Sequence, residues 1–265
     1  MAQFINGRRK MKINLHCHSN YSDGYASLSE MAEEHQKQGF SAFVVTDHCY
    51  PSFIKKGSNE GRFITSYDKY CQQSKELKEV SKKLDYPCIQ GIELALYGEE
   101  VLVFGDETIK KIFEYVEDVN SREQEKYGEL RSYHKKLSNN IANILKENKS
   151  HTAIILCHPH LFEEDSYGRD KLFELIDGYE FQNSGHYLFS DETHKNKTDR
   201  EIPAELQGKR KFYNSDAHAL RCVGRTDGNF HENTINTVED LIDFIKTPQN
   251  TQSILLHKIQ SNQKD

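Results

Sequence analysis

The chain has 265 residues, of which 36% are hydrophobic and 29% charged, with a formal net charge of -6. That length supports one large α/β domain or two small ones, and the acidic balance argues against general nucleic-acid binding through bulk electrostatics. No apolar run approaches the roughly 18–20 residues needed to cross a bilayer and no signal-peptide core is read at the N-terminus, so a cytoplasmic protein without membrane contact is expected. Six cysteines, at 17, 49, 71, 88, 157 and 222, show no CxxC spacing, and several fall in apolar strand-like runs. They read as reduced thiols rather than a disulfide framework.

In chain order, an apolar strand from Lys12 runs into His16-Cys17-His18 and then a polar loop closed by Asp23-Gly24. Alternation along a strand aims His16 and His18 at one point and turns Cys17 away. Ser27 and Glu30 form a capping box for a short helix that stops at Gly39. The β-rich run Phe40–Thr46 closes on Asp47-His48. Strand, helix and strand make a βαβ unit and imply a parallel sheet, with polar residues at the strand ends where such folds place their chemistry. The long segment Cys49–Ile64, with Lys55, Lys56 and Arg62, is either a substrate lid or a plain insertion.

The next run, Ser66–Leu84, predicts a helix with Tyr67, Tyr70, Cys71, Leu77 and Leu84 on one face. A strand from Cys88 closes on Glu93, and Val101–Phe104 is a strand preceded by Glu99-Glu100. The charged stretch 106–149 predicts two helices breaking near Asn120 or Gly128, with His134 on the surface. Thr152–Cys157 is a strand ending in His158-Pro159-His160. Leu172–Ile176 reads as helix, Gly178–Gln182 as a strand leading to Asn183, and Lys211–Asn214 as a strand closing on Asp216 and His218. Thr237–Ile245 is a helix and Ser253–Ile259 a last strand or tail; His186 and His194 read as solvated. With no repeat or linker, the expectation is a single domain over residues 1–265 that includes the helical segment 106–150.

Collected at strand ends are His16, His18, Asp23, Asp47, His48, Glu93, His158, His160, Asp216 and His218. Imidazoles and carboxylates without thiolate suit Zn²⁺, Mn²⁺ or Fe²⁺ in a catalytic site. The set exceeds the needs of one ion, and a carboxylate such as Glu93 can bridge two. Asp47 either orients an imidazole or caps its strand. His160 is a candidate proton donor to a leaving group. Arg225 either grips a phosphate or is a surface arginine.

This succession, HxH with an aspartate in SDG, then TDH, GIE, CHPH and SDAH, resembles the PHP (polymerase and histidinol phosphatase) family from about Lys12 to about Gly224. The resemblance implies a distorted (β/α)7 TIM-like barrel with two to three divalent transition-metal ions at the C-terminal rim of its strands. By motif, His16, His18, Glu93 and Asp216 would hold one ion, Glu93 and His158 a second, and Asp23, His48 and His218 a third. Asn183, in the run Asp-Gly-Tyr-Glu-Phe-Gln-Asn-Ser, would orient ligands or substrate. Many family members place a histidine just before the strand that here reads Val-Leu-Val-Phe; this chain has Glu100. A carboxylate ligand there would favour a harder ion such as Mn²⁺, whereas an exposed Glu100 would leave the second site weak.

The activity implied is metal-dependent hydrolysis of a phosphomonoester of a small metabolite or nucleotide, by in-line attack of a metal-bound hydroxide held at Glu93. A nuclease or nucleic-acid-end phosphatase is the disfavoured alternative, and a non-catalytic metal-binding interaction module the second. The partner expected is a small phosphorylated substrate; no motif encodes its identity or an oligomeric state.

Overall fold

The computed structural model of the chain describes residues 4–5, 8–9, 11–59, 61–123, 130–159, 168–184, 203–226 and 228–248. Strands β1 (Phe4–Ile5) and β2 (Arg8–Arg9) pair antiparallel, and β3 (Met11–Ile13) leads towards the histidine pair. Helix α1 (Leu28–Lys37) starts where its capping box places it: Ser27 Oγ accepts from the Glu30 amide, and the Glu30 carboxylate accepts from the Ser27 amide. Gly39, at φ 77°, turns the chain out of the helix. Strands β4 (Phe43–Val45) and β5 (His48–Cys49) follow, then α2 (Tyr67–Leu84) capped by Ser66. The buried face of α2 carries Tyr70, Gln73, Leu77 and Val80. Cys71, expected on that face, is exposed, because the three-and-four spacing of the buried set leaves it on the outer side.

Strands β6 (Cys88–Gln90) and β7 (Ile92–Leu96) are one run interrupted at Gly91, where an added Cβ would stand 2.6 Å from the Phe104 ring. Strand β8 (Glu99–Phe104) corrects the all-parallel expectation, for it runs antiparallel to β7. Tyr97 and Gly98, at φ 59° and 87°, form the two left-handed centres of a tight hairpin turn, which reverses the chain instead of carrying it through a crossover helix. Helices α3 (Asp106–Glu123) and α4 (Leu130–Glu147) are the pair expected in the charged stretch. Then come β9 (Ala153–Leu156), α5 (Arg169–Leu175), β10 (Gly178–Asn183) and β11 (Arg210–Asn214). Strand β12 (Asn229–His231) and α6 (Val238–Lys246) complete the described chain. Residues 253–259, His186 and His194 lie outside the described residues.

The fold is mixed α/β. Six strands join in the order β11-β10-β9-β8-β7-β5, β4 pairs parallel with β6, and β12 pairs antiparallel with β3. No single closed sheet runs through the described residues. Isolated backbone contacts link the pieces: a parallel bridge between Cys17 and Ala217, Thr46 N to Cys17 O at 2.8 Å, and Gly91 N to Val45 O at 2.8 Å. One apolar cluster gathers Ile13, Val44, Ile89, Leu102, Ile155 and Phe212 from successive strands, with Leu241 and Ile245 of α6 against it. Two further clusters lie between strands and helices, around Phe113 and Leu137 of α3 and α4 and around Met31 and Leu77 of α1 and α2. Each such buried side chain contributes about 1.5–3 kcal/mol, so the strand ends stand on a close-packed floor.

Candidate metal centre

The inner apolar cluster stops where the strands turn polar. Ile13 and Leu15 both belong to it, so strict alternation would send His16 and His18 outward. The regular strand ends at Ile13, and the irregular backbone beyond lets both histidines turn in while Cys17 packs in the outer cluster with Ala217. Both imidazoles are fully buried. The following loop is held by Asp47, whose carboxylate accepts from Ser19 N at 2.7 Å, Ser19 Oγ at 2.6 Å, Ser22 Oγ and Gln73 Nε2. Gly24 closes it so tightly that a Cβ would meet the His18 carbonyl carbon at 2.7 Å.

Donor atoms converge in three groups that share edges. His16 Nε2 lies 3.0 Å from His18 Nε2, 3.2 Å from Glu93 Oε1 and 3.3 Å from Asp216 Oδ1. His158 Nε2 lies 3.2 Å from Glu93 Oε1 and 3.3 Å from Glu100 Oε2. Asp23 faces His218 Nε2 at 3.2 Å and His48 Nε2 at 3.6 Å. The other nitrogen of His48 points to Glu93 at 2.8 Å and Glu100 at 3.4 Å, so this ring stands between two groups rather than in one. Glu93 is the hub, within 3.2 Å of His16, His18, His48 and His158. Cys157 Sγ is within 4.8 Å of the Glu93 and His158 donor atoms, a neighbour that the strand-end reading left out.

These residues fit divalent ions. Ligands held about 2.0–2.2 Å from one centre at octahedral or tetrahedral angles are about 3.0–3.5 Å apart, which is the spacing found. His48 Nδ1 and Glu93 Oε2 are buried and 2.8 Å apart, yet misaligned for a hydrogen bond, as two donors aimed at a shared cation would be. Burial opposes charge on His16, but Asp216, Glu93 and Glu180 raise its pKa well above the ordinary value. Burial likewise opposes charge on His158, while Glu100 and Glu93 push it up to about 10. Burial and the Glu93 charge work against ionised Glu100, yet the His158 and His48 rings at 3.3 and 3.4 Å hold it down to about 2. Burial and the neighbouring His48 lower the pKa of His18, which favours the neutral imidazole that can ligate. The carboxylates therefore remain charged in a buried space and draw in positive charge.

Two strained residues deliver ligands. His158 and Asp216 adopt φ 27° and 49°, left-handed conformations unusual for residues with a Cβ. Behind them stands Glu180, which the sequence reading missed. It is buried, and its carboxylate accepts from His16 Nδ1 at 2.8 Å, His158 N at 3.0 Å, Asn183 Nδ2 at 2.8 Å and Asn214 Nδ2 at 2.8 Å. The signal was an acid inside an apolar strand, Tyr179-Glu180-Phe181. Anchored at Nδ1, His16 turns Nε2 to the centre, as outer carboxylates do for metal-bound imidazoles.

The expected ligands His16, His18, Asp23, His48, Glu93, Glu100, His158, Asp216 and His218 are all brought together. The Asp47 side chain is placed behind the loop, linked to the centre by Ser22, whose Oγ is 3.4 Å from His18 Nδ1, while the Asp47 carbonyl accepts from Glu93 N at 3.1 Å. Asn183 donates to Glu180 at 2.8 Å and to Asp216 Oδ2 at 3.2 Å, which orients both carboxylates. Arg225 is exposed, with its Nε engaged by the Arg221 carbonyl at 3.0 Å, and no described contact joins it to the centre. His160 lies outside the described residues. The segment after Cys49 is pinned where Asn120 Nδ2 donates to Pro51 O and Ile54 O, and Tyr50 Oη reaches Glu100 Oε1 at 2.5 Å. Tyr50, Pro51 and Ser52 of that stretch line a wall beside Glu100 and His158.

Among known proteins, the chain matches the DNA polymerase/3'-5' exonuclease PolX of Bacillus subtilis at 26% identity over 113 residues, 42% of this chain. That match spans only 19% of the relative's length. PsfC from Pseudomonas syringae superposes with a TM-score of 0.52 at 14% identity, covering 96% of this chain and 98% of that one. A two-domain protein of Bacteroides vulgatus, described as containing a predicted PHP-like metal-dependent phosphoesterase, gives 0.48 at 14% identity over 83% of this chain and 56% of that one. The family model for the PHP domain matches residues 14–247, and the chain therefore belongs to the PHP-domain family.

Proposed function

We propose that this protein is a metal-dependent phosphoesterase that hydrolyses a phosphomonoester of a small metabolite or nucleotide. The observation that carries this reading is the hub at Glu93, where four imidazoles meet one buried carboxylate between three ligand groups. Two to three Zn²⁺, Mn²⁺ or Fe²⁺ ions, when bound, would neutralise phosphoryl oxygens and lower the pKa of water towards neutrality. The chain's own part is placement. Glu93 ties the groups into one unit, Glu180 sets the face that His16 presents, and Asp47 holds the loop that carries Asp23. Tyr50, hydrogen-bonded to Glu100, fixes that carboxylate where the sequence pattern of the family suggests an imidazole.

We further read the fold as a distorted (β/α)7 TIM-like barrel. The inner cluster drawn from successive strands and the backbone contacts that link the separate sheets support that reading. Elemental analysis of protein purified without chelator, then a phosphomonoester panel assayed with each of the three metals, tests the function. Metal-dependent release of phosphate is expected, and no turnover of any phosphoester with any metal would refute the reading. The partial match to PolX favours nuclease action as a second reading, which salt-sensitive degradation of labelled single strands would establish.

A further inference from the structure

Among the described residues, four large apolar side chains stand well exposed: Tyr25, Phe53, Phe181 and Leu220. Scattered exposed apolar groups are ordinary on a protein surface, so it is their positions that decide. Three of the four closely follow a ligand in the chain, Tyr25 after Asp23, Phe53 after His48 and Leu220 after His218. The centre opens at the same place. The Asp23 and His218 side chains are 33% and 25% exposed, whereas those of His16 and His18 are fully covered. Apolar surface therefore collects around the group of Asp23, His48 and His218, and Tyr25 is tied there by its amide, which donates to His218 O at 2.8 Å.

Phe53 is not exposed through looseness. It closes a single 3-10 turn, Pro51–Phe53, and the residues Pro51 and Ile54 on either side are buried and tied by Asn120 Nδ2. Its ring lies parallel to that of Phe63, 8° apart in plane with 5.7 Å between centroids. Phe63 is fixed in turn: Lys69 Nζ donates to its carbonyl at 2.7 Å, and the Tyr50 ring stands edge-on to it at 4.7 Å. From Phe63 it is 6.3 Å to the ring of the ligand His48. Phe53 thus offers an outward aromatic surface, 58% exposed, two ring contacts from the ligand groups. Such a surface binds planar rings by stacking. The same segment carries exposed Lys55, Lys56 and Arg62, which complement an anion. A flat ring joined to phosphate through a short linker describes the base, sugar and phosphate of a nucleotide. The net charge of -6 opposes a long polyanion, which favours a free nucleotide over a strand.

We propose that Phe53, backed by Phe63, is the stacking platform for the base of a free mononucleotide whose phosphate reaches the ligand groups. The inference rests on the phosphoesterase reading for the reaction, but the platform itself can be tested without turnover. The chain has no tryptophan, so Phe53→Trp installs a single reporter. Its fluorescence is followed in the Zn²⁺-loaded protein on addition of inorganic phosphate, or of the methylenephosphonate analogue of adenosine 5'-monophosphate, which resists hydrolysis. Quenching by the analogue and none by phosphate is expected. Phe181→Trp, at an exposed position outside the three ligand-bearing loops, should respond to neither. Phe53→Ala should weaken binding of the analogue about five- to a hundredfold in calorimetric titration and leave phosphate binding unchanged. With turnover, the same variant should raise KM for adenosine 5'-monophosphate and leave that for ribose 5-phosphate unchanged. An unquenched Phe53→Trp, equal quenching at both positions, or an unchanged affinity for the analogue in Phe53→Ala would overturn the proposal. So would an oligonucleotide with a terminal phosphate that binds more tightly than the mononucleotide. If the reporter responds while no phosphoester is hydrolysed, the nucleotide platform stands and the phosphoesterase reading falls. If phosphoesters are hydrolysed and Phe53→Ala leaves the nucleotide KM untouched, that reading stands and the platform falls.

Discussion

Replacement of Glu180 by glutamine probes the centre without touching an ion ligand. Every group around the Glu180 carboxylate donates: Oε1 accepts from His16 Nδ1 and Asn214 Nδ2, and Oε2 from His158 N and Asn183 Nδ2. A glutamine amide keeps the shape but must turn its NH₂ towards two of these donors whichever way it flips. Each displaced donor, left unsatisfied in a buried site, costs about 1–3 kcal/mol, and the charge that favours Nδ1–H on His16 is lost as well. His16 then has less reason to present an unprotonated Nε2 to the centre. Outer carboxylates of this kind typically change metal affinity 10- to 100-fold, or about 1.4–2.7 kcal/mol. Competition titration of Mn²⁺ or Zn²⁺ into chelator-stripped wild type and Glu180→Gln, with circular dichroism as a check on folding, measures the effect. A folded variant whose affinities stay within twofold of wild type would refute the positioning role.

Stripped protein should gain thermal stability on addition of the ions, by about 2.7 kcal/mol at one hundred times Kd, and His16→Ala should lose most of that gain in the same melts. Gly24→Ala should destabilise the fold by about 1–3 kcal/mol in urea titration, because the added Cβ drives into the His18 backbone at 2.7–2.8 Å; a neutral result would mean that the loop is not tight. His35 is buried, with Nδ1 donating to Met31 O at 2.8 Å and Nε2 facing Asn14 Nδ2 at 3.2 Å, and burial pushes its pKa down to about 4. The unfolded chain takes up that proton near pH 6.5 and the folded one does not. Its contribution is therefore present above pH 6.5 and lost as pH falls towards 4, by about 3 kcal/mol in full. His35→Phe should flatten that part of the pH–stability curve, and an unchanged slope would show that His35 takes its proton while folded.

Local chemistry made much of this legible. The Ser27–Glu30 box starts α1, Gly39 ends it, and the polar residues that close apolar runs, Asp47 and His160 apart, meet at one centre. Glu180 escaped because alternation misleads there. Glu180 and Asn183 are three residues apart, so an ideal strand would place them on opposite faces. The register between β10 and β11 shifts between Glu180 and Gln182, and that irregularity brings both side chains inward, 2.8 Å apart. The same shift leaves Phe181 half outside, with Lys211 Nζ over its ring at 4.2 Å.

Glu100 shows the opposite case, a residue whose identity was legible and whose position was not. Read as the residue before a parallel strand, it would sit at the far end of the sheet from the other ligands. The hairpin at Tyr97-Gly98 reverses β8, so its beginning lies beside the end of β7, with Glu100 opposite Ala95 and Leu102 opposite Glu93. Opposed residues of an antiparallel pair share a face, and residues two apart share it too, so Glu100 and Glu93 point the same way. A tyrosine at φ 59° is poor turn chemistry by composition, which is why the turn did not declare itself. Its ring is buried against the fold, with Oη on Asn139 of α4, so tertiary packing rather than local preference supports the conformation. The helix that anchors this turn also carries Leu137 and His134 to the wall beside Glu100 and His158. The charged helical segment thus helps to hold the turn that brings a carboxylate to the second ligand group.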